Sequence, residues 1–277
     1  MAKDELLRRL SRYTGAGEPA LGAIIEAMTY GARGMRNPDP ALQPLIPLSR
    51  STYAIAPNIV INNSLERNLL VLLNRLPDAR SIYATLSRQK EALYRDAVIR
   101  DLSSLGWRYW YGTIRAWGAA SEIALAVISD AERCCLILEL KSFIAPAEPR
   151  EIHERSMEIQ RGIRQIHERK SMLARLPDPL LQALRIDRQY RISWAVASDT
   201  SIGAAYVQPP DVPVVRTSHL LSKLAREQRL VRCCEWLEAG DYLPVEGVQY
   251  EVIDSERKIG RWAIEGHGIK CLVDDYL

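Results

Sequence analysis

The spacing of hydrophobic and polar residues changes along the chain between a helical period and a strand-like pattern, which predicts an α/β protein. Apolar residues at helical spacing predict helices over residues 4–13, 22–31, 65–73, 86–105, 150–176 and 218–237. Short β-prone apolar runs predict strands over residues 45–48, 53–55, 107–117, 121–129, 134–143, 191–198, 212–215, 248–253 and 260–273.

The distribution of these elements divides the chain into three parts. Residues 1–60 are interpreted as a helical accessory segment, an adaptor to a neighbouring domain, because several prolines between 34 and 47 interrupt them. Residues 61–240 hold the α/β core, and residues 241–277 form a C-terminal β extension.

The stretch from Ser121 to Phe143 predicts a β-hairpin with charged residues inside apolar strands. Its turn is the polar cluster of residues 130–133, and loops of either two or four residues give the same register. That register places Ala124 opposite Glu139, and Glu122 opposite Lys141, all on one face. Burying a charged side chain costs free energy, so charged residues kept in buried strands indicate a functional role. The cluster is therefore a candidate functional site.

Glu139-Leu140-Lys141, at the end of an apolar strand, resembles the E-x-K motif of the PD-(D/E)XK nuclease superfamily. The order of helix, three strands, helix and two strands resembles the αβββαβ core of the restriction-endonuclease-like fold, a central mixed sheet flanked by helices. The architectural resemblance covers residues 64–240, and the motif is confined to the hairpin. It implies a metal-dependent DNA endonuclease, acting in prokaryotic restriction or phage defence.

The resemblance also implies a role for each residue of the motif. Glu139 and the backbone carbonyl of Leu140 would bind Mg²⁺, for which Mn²⁺ would substitute, and Lys141 would position the attacking water beside the phosphate. The Asp that the family places on the preceding strand corresponds to Ala124, within Glu122-Ile123-Ala124. With that ligand missing, we expect weak metal binding and little or no cleavage.

Three explanations for Ala124 are open. The alanine is an engineered replacement of a catalytic aspartate, or Glu122 supplies the metal ligand with its longer side chain, or the chain is a natural pseudo-enzyme that only binds. The third explanation defines the alternative function, a non-catalytic nucleic-acid-binding or protein-interaction module on a nuclease fold.

The predicted helix over residues 150–176 carries further candidates. Glu158, Gly162 and Gln165 share one face, and a glycine inside a helix indicates close approach of a strand or of a nucleic-acid backbone. RecB-like nucleases place a Gln of this helix beside the active site, which implies that role for Gln165, although Arg169 stands where their Q-x-x-x-Y motif has Tyr. Nucleic-acid contacts are assigned to Glu158, Gly162, Arg161 and Arg169. The other interpretation makes the arginines an exposed, ion-paired helix face.

Composition adds few constraints. The 277 residues carry a net charge of +3, which permits nucleic-acid binding without requiring it. The spacing of the five cysteines fits no zinc site, so they are predicted to be free thiols, as in a reducing compartment. With no signal peptide and no long apolar run, the protein is expected in the cytoplasm and away from membranes. DNA is the expected partner, RNA stays open, and a homodimer or a neighbouring subunit of a larger defence protein would fit.

Overall fold

The computed structural model of the chain describes residues 1–32, 35, 37–55, 57–62, 64–76, 79–116, 119–144, 149–175, 177–200 and 211–272. The predicted strand and helix ends at residues 117, 176 and 273 lie outside these ranges. The chain forms two compact units, Met1–Lys90 and Glu91–Leu277.

The first unit combines helices with a short hairpin. Its elements are α1 (Lys3–Thr14), α2 (Glu18–Ala27), β1 (Leu45–Ser49), β2 (Thr52–Ile55), α3 (Pro57–Asn62), α4 (Leu65–Arg75) and the first part of α5 (Arg80–Leu102). β1 and β2 pair antiparallel. Leu72 of α4 packs with Ile25, Leu45 and Tyr53 in one buried cluster. The helix that sequence analysis placed inside the core, from residue 61 onward, thus packs with the N-terminal segment.

The second unit contains the central sheet. After α5 and a single turn of 3₁₀-helix, its elements are β3 (Arg108–Ala116), β4 (Ala119–Ser129), β5 (Cys134–Lys141), α6 (Pro149–Arg175), α7 (Pro177–Leu184), β6 (Arg191–Ser198), β7 (Val214–Arg216), α8 (Thr217–Glu227), α9 (Leu230–Ala239), β8 (Tyr250–Ile259) and β9 (Trp262–Cys271). The five-stranded sheet has the order β3-β4-β5-β6-β7. β3, β4 and β5 pair antiparallel, whereas β5, β6 and β7 pair parallel. The predicted α/β class with a mixed central sheet is confirmed.

Each face of the sheet is covered by its own hydrophobic core. Side chains alternate between the faces of a strand, so Leu136 and Leu138 of β5 pack in one cluster and Cys135 and Ile137 pack in the other. The first cluster contains residues of α5, α8 and α9, and the second contains residues of α6 and α7. We call these the α5 face and the α6 face.

The hairpin of β4 and β5 has the predicted register. Leu125 pairs with Leu138, and Ser129 pairs with Cys134, around a turn formed by residues 130–133. Arg108 Nε and Nη2 each donate to a different oxygen of Asp130, both at 2.6 Å, and Tyr190 Oη donates to the same carboxylate at 2.7 Å. The turn is therefore held from two sides.

β4 contains a β-bulge near its middle. Trp110 of β3 pairs with Ala126, but Gly112 pairs with Ile123, so Ala124 and Leu125 together lie opposite Tyr111. A bulge of this kind changes which residues face each side of the sheet. Ile123 and Ala126 consequently belong to the same core cluster although three positions separate them.

Two features of the second unit differ from prediction. The helix predicted over residues 218–237 is interrupted, because Gln228 adopts a left-handed conformation with φ 51° and ends α8 before α9 begins. α7 was not predicted. The C-terminal hairpin of β8 and β9 forms a separate two-stranded sheet, as expected.

Candidate functional site

The site is built around Glu139, at the carboxyl end of β5. Glu139 is only 6% exposed, and its side chain points to the α6 face, where Gly162 contacts it. Lys141 Nζ donates to Oε1 at 2.9 Å, and Arg169 Nη1 donates to Oε2 at 2.5 Å. Both carboxylate oxygens therefore accept a charge-assisted hydrogen bond.

Lys141 connects Glu139 to α6. Two residues along the same strand, it lies on the same face, and Nζ also donates to Oε1 of Gln165 at 3.2 Å. Its side chain is 17% exposed, so it reaches solvent where Glu139 does not. The structure thus brings together Glu139, Lys141 and Gln165, as the sequence indicated.

Gly162 permits this close packing. A β-carbon there would lie 3.0 Å from Cε of Lys141, 3.4 Å from Cγ of Glu139 and 3.5 Å from Cγ2 of Val196. The expected close approach is confirmed, and it is an approach of strands β5 and β6.

Arg169 is the member of the cluster whose position sequence analysis missed. It is buried, at 8% exposed, and its Nε donates to Ser121 Oγ at 3.3 Å. Of the two interpretations of Arg169, the exposed, ion-paired helix face was wrong, because the guanidinium turns inward to the carboxylate of Glu139. The nucleic-acid contact assigned to it stays a prediction. A signal was present, since Arg169 continues the helical spacing of Gly162 and Gln165 at i, i+3 and i+7.

Glu122 and Ala124 do not lie as predicted. The hydrogen bond from Arg169 places Ser121 on the α6 face, so its neighbour Glu122 faces the other way. Glu122 is exposed and pairs with Thr113, which is also exposed. Ala124 belongs to the bulge, and the regular alternation of faces that the predicted register assumes does not continue through it. The convergence of 122 and 124 with Glu139 and Lys141 on one face was therefore wrong.

The remaining candidates lie around this cluster. Glu158 is paired with Arg155 Nη1 at 3.5 Å, and Arg161 is exposed. Leu140 comes between Glu139 and Lys141 in the sequence, but its side chain packs on the opposite side of the sheet, in the core of the α5 face.

Asp199 anchors the loop that follows Lys141, and it was not among the candidates from the sequence. Its carboxylate accepts hydrogen bonds from Ser142 Oγ at 2.8 Å and from the amide of Phe143 at 3.0 and 3.1 Å. The amide of Asp199 donates to the carbonyl of Lys141 at 3.1 Å. Burial raises the pKa of Tyr94 to about 12, and the negative charge of Asp199 acts in the same direction.

The donors at this site do not fit Mg²⁺ as they are arranged. Mg²⁺ is commonly held by one or two carboxylates and by substrate phosphate. Here both oxygens of Glu139 are engaged by cations, and position 124 supplies no carboxylate. Within the described ranges, no group of three or more His, Cys, Asp and Glu side chains is arranged to hold a metal ion. Magnesium binding stays a prediction from the resemblance.

The described part of the chain also contains no helix that is long and apolar enough to cross a membrane. Comparisons with family models, with curated proteins and with solved structures found no match to this chain.

Proposed function

We propose that this chain is a nucleic-acid-binding module of PD-(D/E)XK architecture, which holds DNA phosphate at the cluster of Glu139, Lys141, Gln165 and Arg169 without hydrolysing it. The order α5, β3, β4, β5, α6, β6, with α7 added between α6 and β6, supports the architectural part of the proposal. It has the αβββαβ form, in which β3, β4 and β5 pair antiparallel and β5 and β6 pair parallel.

The observation that carries the proposal is the engagement of Glu139. A hydrolytic site of this type needs carboxylate oxygens to hold its metal ion, and both oxygens of Glu139 already bind Lys141 and Arg169. The same arrangement leaves Lys141, whose side chain is 17% exposed, at the carboxyl edge of the sheet, where a phosphate oxygen could accept from its ammonium group.

The surrounding charge also favours an anionic ligand. α6 contains seven Arg or Lys residues and four Glu residues, and Arg161 and Arg164, on either side of Gly162 in the sequence, are exposed. Basic side chains along one helix supply the sequence-independent contacts that dominate affinity for DNA. The chain as a whole is only mildly basic, at +3, so we expect moderate and salt-dependent binding.

A second candidate is the active endonuclease, disabled here by Ala124. It is favoured by the meeting of Glu139, Lys141 and Gln165 at the end of β5, which is the arrangement that the family resemblance implies. In this case, replacing Ala124 with Asp would complete the site for Mg²⁺ or Mn²⁺.

The two candidates are separated by measuring binding and cleavage on the same set of proteins. Binding to a labelled DNA duplex is followed by fluorescence anisotropy over a range of salt concentrations, and cleavage is followed on supercoiled plasmid with Mg²⁺, with Mn²⁺ and with EDTA. The variants are Lys141→Gln, Ala124→Asp, and Ala124→Asp combined with Lys141→Ala. Arg175→Gln is the matched control, because it removes one exposed positive charge from the last residue of α6.

The proposal predicts DNA binding without cleavage by the unaltered chain. Lys141→Gln should weaken binding by about tenfold, as expected for the loss of a charged hydrogen bond, and more than Arg175→Gln does. Ala124→Asp should not nick the plasmid, because position 124 lies in the bulge and does not share the face of Glu139. Nicking by Ala124→Asp that depends on metal and on Lys141 would overturn the proposal in favour of the endonuclease. Equal binding by Lys141→Gln and the unaltered chain would also contradict it.

A further inference from the structure

The net charge of this cluster equals that of a metal-bound nuclease site. Glu139 carries one negative charge, and Lys141 and Arg169 carry two positive charges within hydrogen-bond distance of it, which leaves one net positive charge. A site with two carboxylates, one lysine and one divalent cation also carries one net positive charge. Ala at 124 and Arg at 169 each make the site one charge more positive, and together they supply the two positive charges that the divalent cation would bring.

We infer that Arg169 takes the electrostatic place of the metal ion, so that the cluster binds a phosphate oxyanion without any divalent cation. The inference rests on the proposed function and deepens it, because it concerns how the same site holds its ligand.

Arg169 acts through Glu139. At 8% exposed, its guanidinium is largely shielded from solvent, with Nη1 on Glu139 and Nε on Ser121. Without Arg169, Glu139 and Lys141 would form a neutral pair with little attraction for an anion. With Arg169 neutralising the carboxylate, the charge of Lys141 is left for the ligand. Arg169 is accordingly a positioning residue.

Lys141 has the hydrogen-bonding capacity that this role needs. An ammonium group has three donors, and the described acceptors are Oε1 of Glu139 and Oε1 of Gln165. A phosphate oxygen would take the third. Glu139 and Gln165 fix the direction of Nζ, so the ammonium does not have to be ordered when the ligand binds.

A charge-compensation series tests the inference. Affinity for a labelled DNA duplex is measured in EDTA for the unaltered chain, Arg169→Gln, Glu139→Gln, and Glu139→Gln combined with Arg169→Gln. These proteins carry one, zero, two and again one net positive charge at the cluster. Arg175→Gln is the matched control for the loss of one arginine from the same helix. Circular dichroism establishes that each variant is folded.

The expected order of affinity follows the charge. Arg169→Gln should bind about tenfold more weakly and Glu139→Gln more tightly, while the double variant should return close to the unaltered chain. If the ion pair of Glu139 and Arg169 were purely structural, the double variant would not regain the affinity of the unaltered chain. Provided that the unaltered chain binds DNA, the inference is overturned if the double variant binds as weakly as Arg169→Gln, or if the unaltered chain binds only when Mg²⁺ or Mn²⁺ is present.

A second readout keeps this test separate from the test of the proposed function. The thermal unfolding midpoint is measured with inorganic pyrophosphate in EDTA, and separately with Mn²⁺ alone. Pyrophosphate should raise the midpoint of the unaltered chain and of the double variant but not that of Arg169→Gln, and Mn²⁺ should leave the unaltered chain unchanged. If no protein binds DNA but this pattern is found, the proposed function fails and the inference stands. If Mn²⁺ stabilises the unaltered chain, or pyrophosphate stabilises no variant, the inference fails.

Discussion

Gly162 of α6 lies so close to Lys141 of β5 that a β-carbon on the glycine would be 3.0 Å from Cε of the lysine. That separation is shorter than ordinary van der Waals contact, and it involves the side chain of the lysine that binds Glu139. The helix therefore sets the position of the ammonium group through the absence of a side chain.

Gly162→Ala should separate binding from stability. Alanine favours the helix by about 1 kcal/mol relative to glycine, while the new methyl group pushes Lys141 away from Glu139 and Gln165. We expect a free energy of unfolding within about 1 kcal/mol of the unaltered chain, together with weaker DNA binding. Urea unfolding and fluorescence anisotropy measure the two effects. Ser171→Ala, at an exposed position of the same helix, is the control. Unchanged binding by Gly162→Ala would show that the position of Lys141 is not important for binding.

Asp130 should make stability depend on pH in the acid range. The hydrogen bonds from Arg108 and then from Tyr190 lower the pKa of Asp130 to about 2. Because the folded-state pKa lies below the unfolded value of about 3.9, the stabilisation is complete above that value and is lost as pH falls toward about 2. The side chain is 51% exposed, so solvent screening limits the gain to about 1 kcal/mol.

The measurement compares urea unfolding of the unaltered chain and Asp130→Asn as the pH is lowered. The difference in free energy of unfolding should be constant near neutrality and should shrink through the acid range. Tyr190→Phe removes the weaker of the two contributions and should give a smaller difference of the same kind. A difference that grows as pH falls would contradict the assignment.

Arg169→Met should be strongly destabilising. It would leave Glu139 buried with one cationic partner, and breaking a buried ion pair by removing one member typically costs about 3–5 kcal/mol. Arg161→Met is the matched control, since Arg161 is exposed on the same helix and surface changes usually stay within about 0.5 kcal/mol. Urea midpoints provide the comparison. A cost below about 1 kcal/mol for Arg169→Met would mean that the pair is not held as described.

The features of the fold that depend on local pattern could be predicted from the sequence. The polar turn at residues 130–133 fixed the register of Leu125 with Leu138, and the apolar runs located the strands of the sheet. The strand-to-helix order likewise follows from hydrophobic spacing.

The composition of the site could be predicted only in part, because two of its determinants are not local. The bulge arises from the pairing of β4 with β3, which the hairpin sequence of β4 and β5 does not encode. The inward turn of Arg169 depends on Glu139, thirty positions earlier in the chain. An arginine beside glutamates on a long helix has the same sequence pattern whether it faces solvent or a buried carboxylate.

The bulge also makes the chemistry of the site sensitive to changes in strand length. One residue inserted in β3 beside Tyr111 would give Ala124 and Leu125 separate partners, and regular alternation would then turn Glu122 and Ala124 toward Glu139 while Ser121 and Ile123 turned away. An alignment that matches this strand residue by residue would in that case compare side chains from opposite faces of the sheet. The number of residues in β3 therefore decides whether the side chain at position 124 faces Glu139.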